Sequence, residues 1–197
     1  MPTADTLRKA TILQVDGAVI RVAHPDISNQ TRTYLSAPIA AAGTAMSVRD
    51  NDTFDDDDWM IVGEVGDSET ESTDVNQATV AGTGAITRGT AVTVTNYLSF
   101  SHELDAPVTL TRERGIKIYR AATNGGAGTI IESIDARTLT GRQLADAVMI
   151  QWDKPYTEFT LITTDTAGAF YYAVFTDGTT DGAASDYVAS TGYTASA

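Results

Sequence analysis

Along the chain, apolar residues recur mainly at every second position, in short runs separated by Gly, Asp and Asn. That spacing puts alternate side chains on opposite faces of an extended backbone, so it predicts strands. "ATILQVDGAVIRVA" reads as two such runs broken at Asp16-Gly17, a pair suited to a hairpin turn. In "TRTYLSAPIAAAGTAMSVRD", Tyr34, Leu35 and Ile39 lead to a turn at Gly43 and a return through Ala45 and Ser47. "WMIVGEV" is a continuous apolar run of strand length, ended by Gly66-Asp67. "TAVTVTNYLSF" alternates Ala91, Thr93 and Thr95 against Val92, Val94 and Asn96, which predicts one half-buried strand.

The same pattern continues through "APVTLT", "GIKIYRA", "TIIESID", "VMIQW", "TEFTLIT", "AFYYAVFTD" and "SDYVA". Only "TGRQLADAVM" reads as helical. Many short strands spaced by turns predict an all-β protein of sandwich or barrel type. The loop composition of "TNGGAGT" and the fresh alternation of "GIKIYRA" place a domain boundary near Gly115. The expected organisation is an N-terminal β-sandwich or barrel over 1–114 and a smaller sandwich over 115–197, starting at Gly115–Tyr119 and closing with Ser185–Ala189.

Composition narrows the chemistry. A chain of 197 residues can bury a core as one large or two small domains. With no Cys there is neither a disulfide framework nor a thiolate nucleophile or metal ligand. No apolar run has the roughly 18–20 residues of a membrane helix, and the first residues lack the apolar core of a signal peptide. The net charge of −13 argues against specific nucleic-acid binding, which needs clustered Lys and Arg. Its make-up is 19 Asp to 7 Glu and 10 Arg to 3 Lys. This bias resembles proteins of extreme halophiles, in which molar salt screens the repulsion between short, well-hydrated carboxylates.

The densest acidic stretch is "NDTFDDDDWMIVGEVGDSETE", Asn51 to Glu71. An EF-hand loop would need Gly at its sixth position, which holds Asp55, Asp57 or Ile61 for starts at Asp50, Asp52 or Asp56. The expectation is therefore a solvated turn bracketed by Phe54 and Trp59. A looser calcium cage at Asp55, Asp56, Asp57 and Asp58 is the alternative, as the sole metal-site candidate. Glu64, Glu69 and Glu71 are the carboxylates that a glycosidase-like pair would draw on. Ser101 beside His102 does not by adjacency make a nucleophile–base pair; a strand end carrying Phe100 and His102 on one face, with Asp105 in the following turn, accounts for the segment. "GTGAITRG" lacks the third Gly of a dinucleotide fingerprint, and no phosphate-loop motif occurs, so no cofactor is expected. Asn29-Gln30-Thr31 and Asn51-Asp52-Thr53 fit the glycosylation sequon, which is common by chance.

"TYLSAPIAAAGTAMSVRDNDTFDDDDWMIVGEVGDSETE" resembles a pattern in virion proteins of tailed viruses of bacteria and archaea, through Val48, Phe54, Ile61, Gly63, Glu64, Glu69, Thr70 and Glu71. "LSFSHELDAPV" is similar to the same family's Phe–His–Asp–Pro–Val segment, through Phe100, His102, Asp105, Pro107 and Val108, and "IKIYRA" to its Ile–Tyr–Arg strand. After the Thr-Glu pair the family continues into an apolar strand; here Ser72-Thr73-Asp74 follows, so that strand is expected to begin near Val75. The C-terminal part, with Tyr171-Tyr172 and Ser185-Asp186-Tyr187, is similar to the last strands of a fibronectin-III-like, immunoglobulin-type sandwich.

The resemblance implies a non-enzymatic structural protein located in the virion, and the composition points to a haloarchaeal tailed virus. The expected role is an oligomeric accessory subunit of the capsid surface or head–tail junction. Its partners would be copies of itself and other capsid, neck or tail proteins, with host-surface contact as a further option and no membrane. A tail-tube or neck ring, or a host- or carbohydrate-binding module marked by clustered exposed aromatics, are the alternatives.

Overall fold

In a computed structural model of the chain, the described residues are 7–43, 45–51, 54, 58–78, 85–88, 90–91, 94–95, 98, 100–135, 152, 154–161, 165 and 167–194; all regular structure among them is β-strand, paired antiparallel. The expected all-β class holds. The helical expectation for "TGRQLADAVM", 140–149, lies outside the described residues.

The chain opens with β1 (Thr11–Asp16) and β2 (Val19–Ala23), joined at Gly17-Ala18. Gly17 takes φ +55°, the left-handed conformation such a turn requires and glycine reaches without a steric cost. Eight strands follow: β3 (Arg32–Tyr34), β4 (Ala45–Ser47), β5 (Trp59–Val62), β6 (Glu71–Ala78), β7 (Ala85–Arg88), β8 (Thr90–Ala91), β9 (Val94–Thr95) and β10 (Pro107–Thr111). The last five are β11 (Gly115–Ala121), β12 (Gly128–Asp135), β13 (Tyr156–Thr160), β14 (Phe170–Thr176) and β15 (Val188–Ala189).

These strands form two compact units. One, here the split unit, gathers Met1–Pro25, Glu113–Ala136 and Tyr156–Ala197; the other, the inserted unit, gathers Asp26–Arg112 and Arg137–Pro155. The division differs from the expected continuous stretches 1–114 and 115–197. The cause is one pairing: β2 lies between β1 and β13, with Thr157 opposite Val22 and Phe159 opposite Ile20. Ile20 and Val22 are fully buried there. Alternation marks β2 as half-buried but carries no address for a partner so far along the chain.

In the inserted unit six strands run β3-β10-β5-β6-β7-β4. A bridge between Leu35 and Val48 links β3 to β4, the two ends of that order, with Ser36 N–H donating to Ser47 C=O and Arg49 N–H to Tyr34 C=O, both at 2.9 Å. Its core is Leu35, Ile39, Met46, Val48, Phe54, Met60, Val62, Leu98 and Val108. β5 is central, and all four of its residues are buried, which is why it reads as a continuous run. Met60 and Val62 join that core while Trp59 and Ile61 point to the opposite face.

Two details depart from expectation. β6 begins at Glu71, opposite Val62, and not near Val75. Thr73, fully buried opposite Met60, fills the position expected of an apolar residue; its β-branched side chain suits a strand as well as Val does. "TAVTVTNYLSF" is not one strand but holds the hairpin β8–β9, Thr90 opposite Thr95 and Ala91 opposite Val94.

The split unit has a three-stranded sheet, β1-β2-β13, and a four-stranded one, β12-β11-β14-β15. In the second, Ile116, Ile118, Tyr171, Ala173 and Phe175 are buried on one face. The expected closing strand at Ser185–Ala189 is regular only at Val188–Ala189. Ser185 interrupts it because its Oγ accepts the Ala173 N–H at 2.9 Å, taking the place of a backbone carbonyl.

Candidate functional site

Most of the residues that carry the resemblance lie in the inserted unit and make structural contacts there, whereas "IKIYRA" lies in β11 of the split unit and Glu69 is exposed. Val48, Phe54 and Ile61 are buried. After β5 the chain turns at Gly63, φ +102°, and a Cβ there would come within 2.7 Å of Thr70 Oγ1. The Thr70 hydroxyl donates to the Glu64 carbonyl, and the Thr70 N–H to Asp67 C=O at 3.0 Å, closing the loop before β6. Glu71, first in β6, then reaches outward from that strand. Its Oε1 accepts the Phe100 N–H and faces His102 Nε2, both at 3.0 Å. His102 in turn exchanges two backbone hydrogen bonds of 2.8 Å with Ile39.

The link is nearly dry, with side-chain exposures of 4% for His102 and 12% for Glu71. In such surroundings a charge-assisted hydrogen bond is worth more than on an open surface. Asp105 completes the arrangement at φ +69°, in the turn as expected, with its carboxylate on the Arg49 guanidinium and its N–H on Leu35 C=O at 3.0 Å. Phe100 and His102 do not share one environment as expected: Phe100 is exposed, whereas Glu71 draws the His102 ring inward.

A cleft of about 410 Å³ lies beside this link, between the Gly63–Thr70 loop and the Ser101–Pro107 segment. Its rim carries Glu64, Asp67, Glu69 and Glu103, with His102 at its wall. The carboxylates do not act as a pair: Glu64 Oε1 binds Arg32 Nη1 at 3.0 Å, Glu71 holds Phe100 and His102, and Glu69 is exposed. Ser101 Oγ accepts the Ala41 N–H at 3.1 Å, while His102 Nε2 faces Glu71, so the two neighbours are not arranged as nucleophile and base.

Of the four candidate cation ligands, Asp55, Asp56 and Asp57 lie outside the described residues, and Asp58 is half-buried. Phe54 and Trp59, the expected bookends, are both buried. Among the described residues no three His or acidic groups converge as metal ligands. The two sequons separate cleanly: Asn29 is exposed in a turn, whereas Asn51 is buried and accepts the Phe54 N–H on its carbonyl.

Sequence reasoning missed two polar clusters in the split unit. Asp165 is 7% exposed and receives Arg120 Nε at 2.6 Å and the Tyr171 hydroxyl. Burial would raise its carboxyl, but hydrogen bonds from Tyr171, Ser190 and Arg120 outweigh that and hold it below the usual carboxylate value. The Tyr171 phenol is pushed up to about 12 by burial and then by Asp165. Asp181 accepts Lys117 Nζ at 2.6 Å and the Tyr119 hydroxyl at 3.0 Å, and Tyr119 too is raised to about 12, by burial first. "TTDTAG" and "TTDGA" read as loops, and nothing in their spacing names the strands they reach.

Tyr119, Tyr172 and Tyr187 form an aromatic row across β11, β14 and the start of β15, with centroids 4.8 and 4.7 Å apart. Tyr119 and Tyr172 are parallel within 5°, so one face of each ring is covered by the other. The three rings make a cross-strand ladder.

Comparison with known protein families, curated proteins and solved structures gives no match.

Proposed function

We propose that the chain is a non-enzymatic structural subunit of a tailed-virus particle, oligomeric, and placed on the capsid surface or at the head–tail junction. The observation that supports this reading is the use made of the resembling residues. Gly63, Thr70, Glu71, His102 and Asp105 hold strands and turns together. On this reading the inserted unit is a barrel closed at Leu35 and Val48, and the split unit is an immunoglobulin-type sandwich made of its two sheets. A second domain beyond a minimal ring-forming sheet suits an outward position, where it meets neighbouring subunits. Exposed strand edges and apolar residues such as Leu104 and Ile130 would supply the contacts.

Labelling intact particles with antibody against the split unit tests the assignment. Decoration of the capsid surface or neck is expected. Labelling confined to the tail shaft, or only after particles are broken open, would overturn the station, and absence from purified particles would overturn the role.

A further inference from the structure

The four-stranded sheet of the split unit ends on a long strand. β12 has eight residues and, among the described residues, pairs with β11 alone. The sheet's other end, β15, is only two residues long. The edge strands of the three-stranded sheet are shorter than β12, β1 with six residues and β13 with five. Short strands resist the addition of another strand, and a long edge invites it. β12 contains neither Pro nor Lys, the residues that most often protect an edge.

The register shows how the side chains of this edge divide. Ile130 lies opposite Tyr119, so it extends the tyrosine row by one strand; it is 47% exposed. Glu132 lies opposite Ile118, a fully buried residue, so its carboxylate sits on the core side of the sheet at its very edge. The extra residue between them, Ile131, is the bulge that lets the two point to opposite faces. Glu132 is half-buried, has no ion pair or hydrogen bond among the described residues, and has its carboxyl raised by burial alone. Other buried or partly buried acids in this unit have a cation: Glu113 has Arg8, Glu158 has Arg21 and Asp165 has Arg120.

We propose that the open edge of β12 accepts an extended segment of a different polypeptide, and that Glu132 selects a segment carrying Lys or Arg opposite it. Strand addition supplies the backbone hydrogen bonds and Ile130 an apolar contact. Covering the edge removes Glu132 further from water, which costs free energy unless a cation arrives with the incoming strand. A second copy of this chain is a poor occupant, since each copy carries −13 and an antiparallel pair of β12 edges would bring carboxylate toward carboxylate. This deepens the structural-subunit reading by naming the chemistry of a partner. Its test reads peptide binding alone, so particle labelling can fail without touching it.

The test uses the full chain in 0.1 M salt and two synthetic eight-residue peptides of alternating Thr and Val, differing only in a central Lys or Glu. The Lys peptide should bind about tenfold or more tightly than the Glu peptide, and should slow amide exchange at Gly128–Asp135. Glu132→Gln should reduce the preference to about twofold or less while leaving binding intact. Equal affinities for the wild-type chain, no binding, protection away from β12, or wild-type dimers joined through β12 would each overturn the proposal. Because the two peptides are compared on the wild-type chain, the result stands even if the variant folds poorly.

Discussion

The two units solve one problem in opposite ways. The inserted unit joins the two ends of its strand order at Leu35 and Val48 and ties two of its loops down with side chains, Thr70 to Glu64 and Glu71 to His102. Among the described residues the split unit leaves the ends of both its sheets unpaired and places polar contacts between strands and the connections beyond them, Arg120 and Tyr171 on Asp165, Lys117 and Tyr119 on Asp181. Joining the ends of a sheet satisfies backbone groups that would otherwise face water or a neighbour. What remains to be fixed is the loops, held by Thr70 on Glu64, Glu71 on His102 and the ion pairs Arg32–Glu64 and Arg49–Asp105. The outer strands of the split unit are anchored instead by Arg120 on the buried Asp165 carboxylate and by Lys117 and Tyr119 on Asp181 at the surface.

The sharpest way to break this contrast is Arg120→Met. It leaves the Asp165 carboxylate buried without its cation, and a loss of about 3–5 kcal/mol is expected, read in denaturant melts and in faster amide exchange of β11 and β14. The sign with pH is opposite in the two proteins. In the wild type Asp165 titrates below its unfolded value, so its contribution is present above about pH 4 and lost as pH falls through the folded value. In the variant the deficit should shrink on acidification, because protonation removes the stranded charge.

Gly63→Ala strikes the inserted unit. A φ of +102° strains any side chain, and the new Cβ would press on Thr70, so a loss of about 1–3 kcal/mol is expected. Exchange should quicken at β5 and β6 and stay unchanged at β11 and β14. Glu71→Gln is milder, at about 1–2 kcal/mol: its amide oxygen can still accept the Phe100 N–H, but the charge facing His102 is gone. A loss as large as that of Arg120→Met would erase the distinction between the two styles of anchoring.

Alkaline titration adds a difference confined to the split unit. Tyr119 and Tyr171 are raised to about 12, so their contribution is complete below pH 10 and disappears as pH rises through 12. Tyrosinate absorbance should show a delayed fraction, which Tyr171→Phe and Tyr119→Phe each reduce; ionisation of all tyrosines near 10 would contradict the two networks. Salt should act on both units and more on the inserted one, which has 16 Asp and Glu against 7 Lys and Arg where the split unit has 10 against 6. Melting of both should rise between about 0.1 M and molar salt, where the Debye length falls to about 3 Å. A flat or falling melting temperature would contradict the halophilic reading.

Local pattern made some of this legible in the sequence and left the rest hidden. "GIKIYRA" is a strand from end to end because its alternation matches one buried face, and "WMIVGEV" gave away a central strand because both of its faces are covered. The candidate site was visible in parts only. Glu71 was noted as one of three acids and His102 as a neighbour of Ser101, yet no spacing in the sequence says that they meet. Asp165 escaped notice altogether, being one more Asp in a chain of many.

The amino-acid sequence by itself determined the all-β class, most of the strands, the turn at Gly17 and the acidic surface, because these depend on period-two burial, local backbone preference and net charge. Tertiary structure alone decided that β2 pairs with β13, that Leu35 meets Val48, and that Glu71 holds His102 while Glu132 is left on an edge without a cation. Any strand with one apolar face can satisfy many others equally well. The choice among them is made by the whole set of burials and hydrogen bonds closing at once, and a local stretch of chain holds no record of that choice.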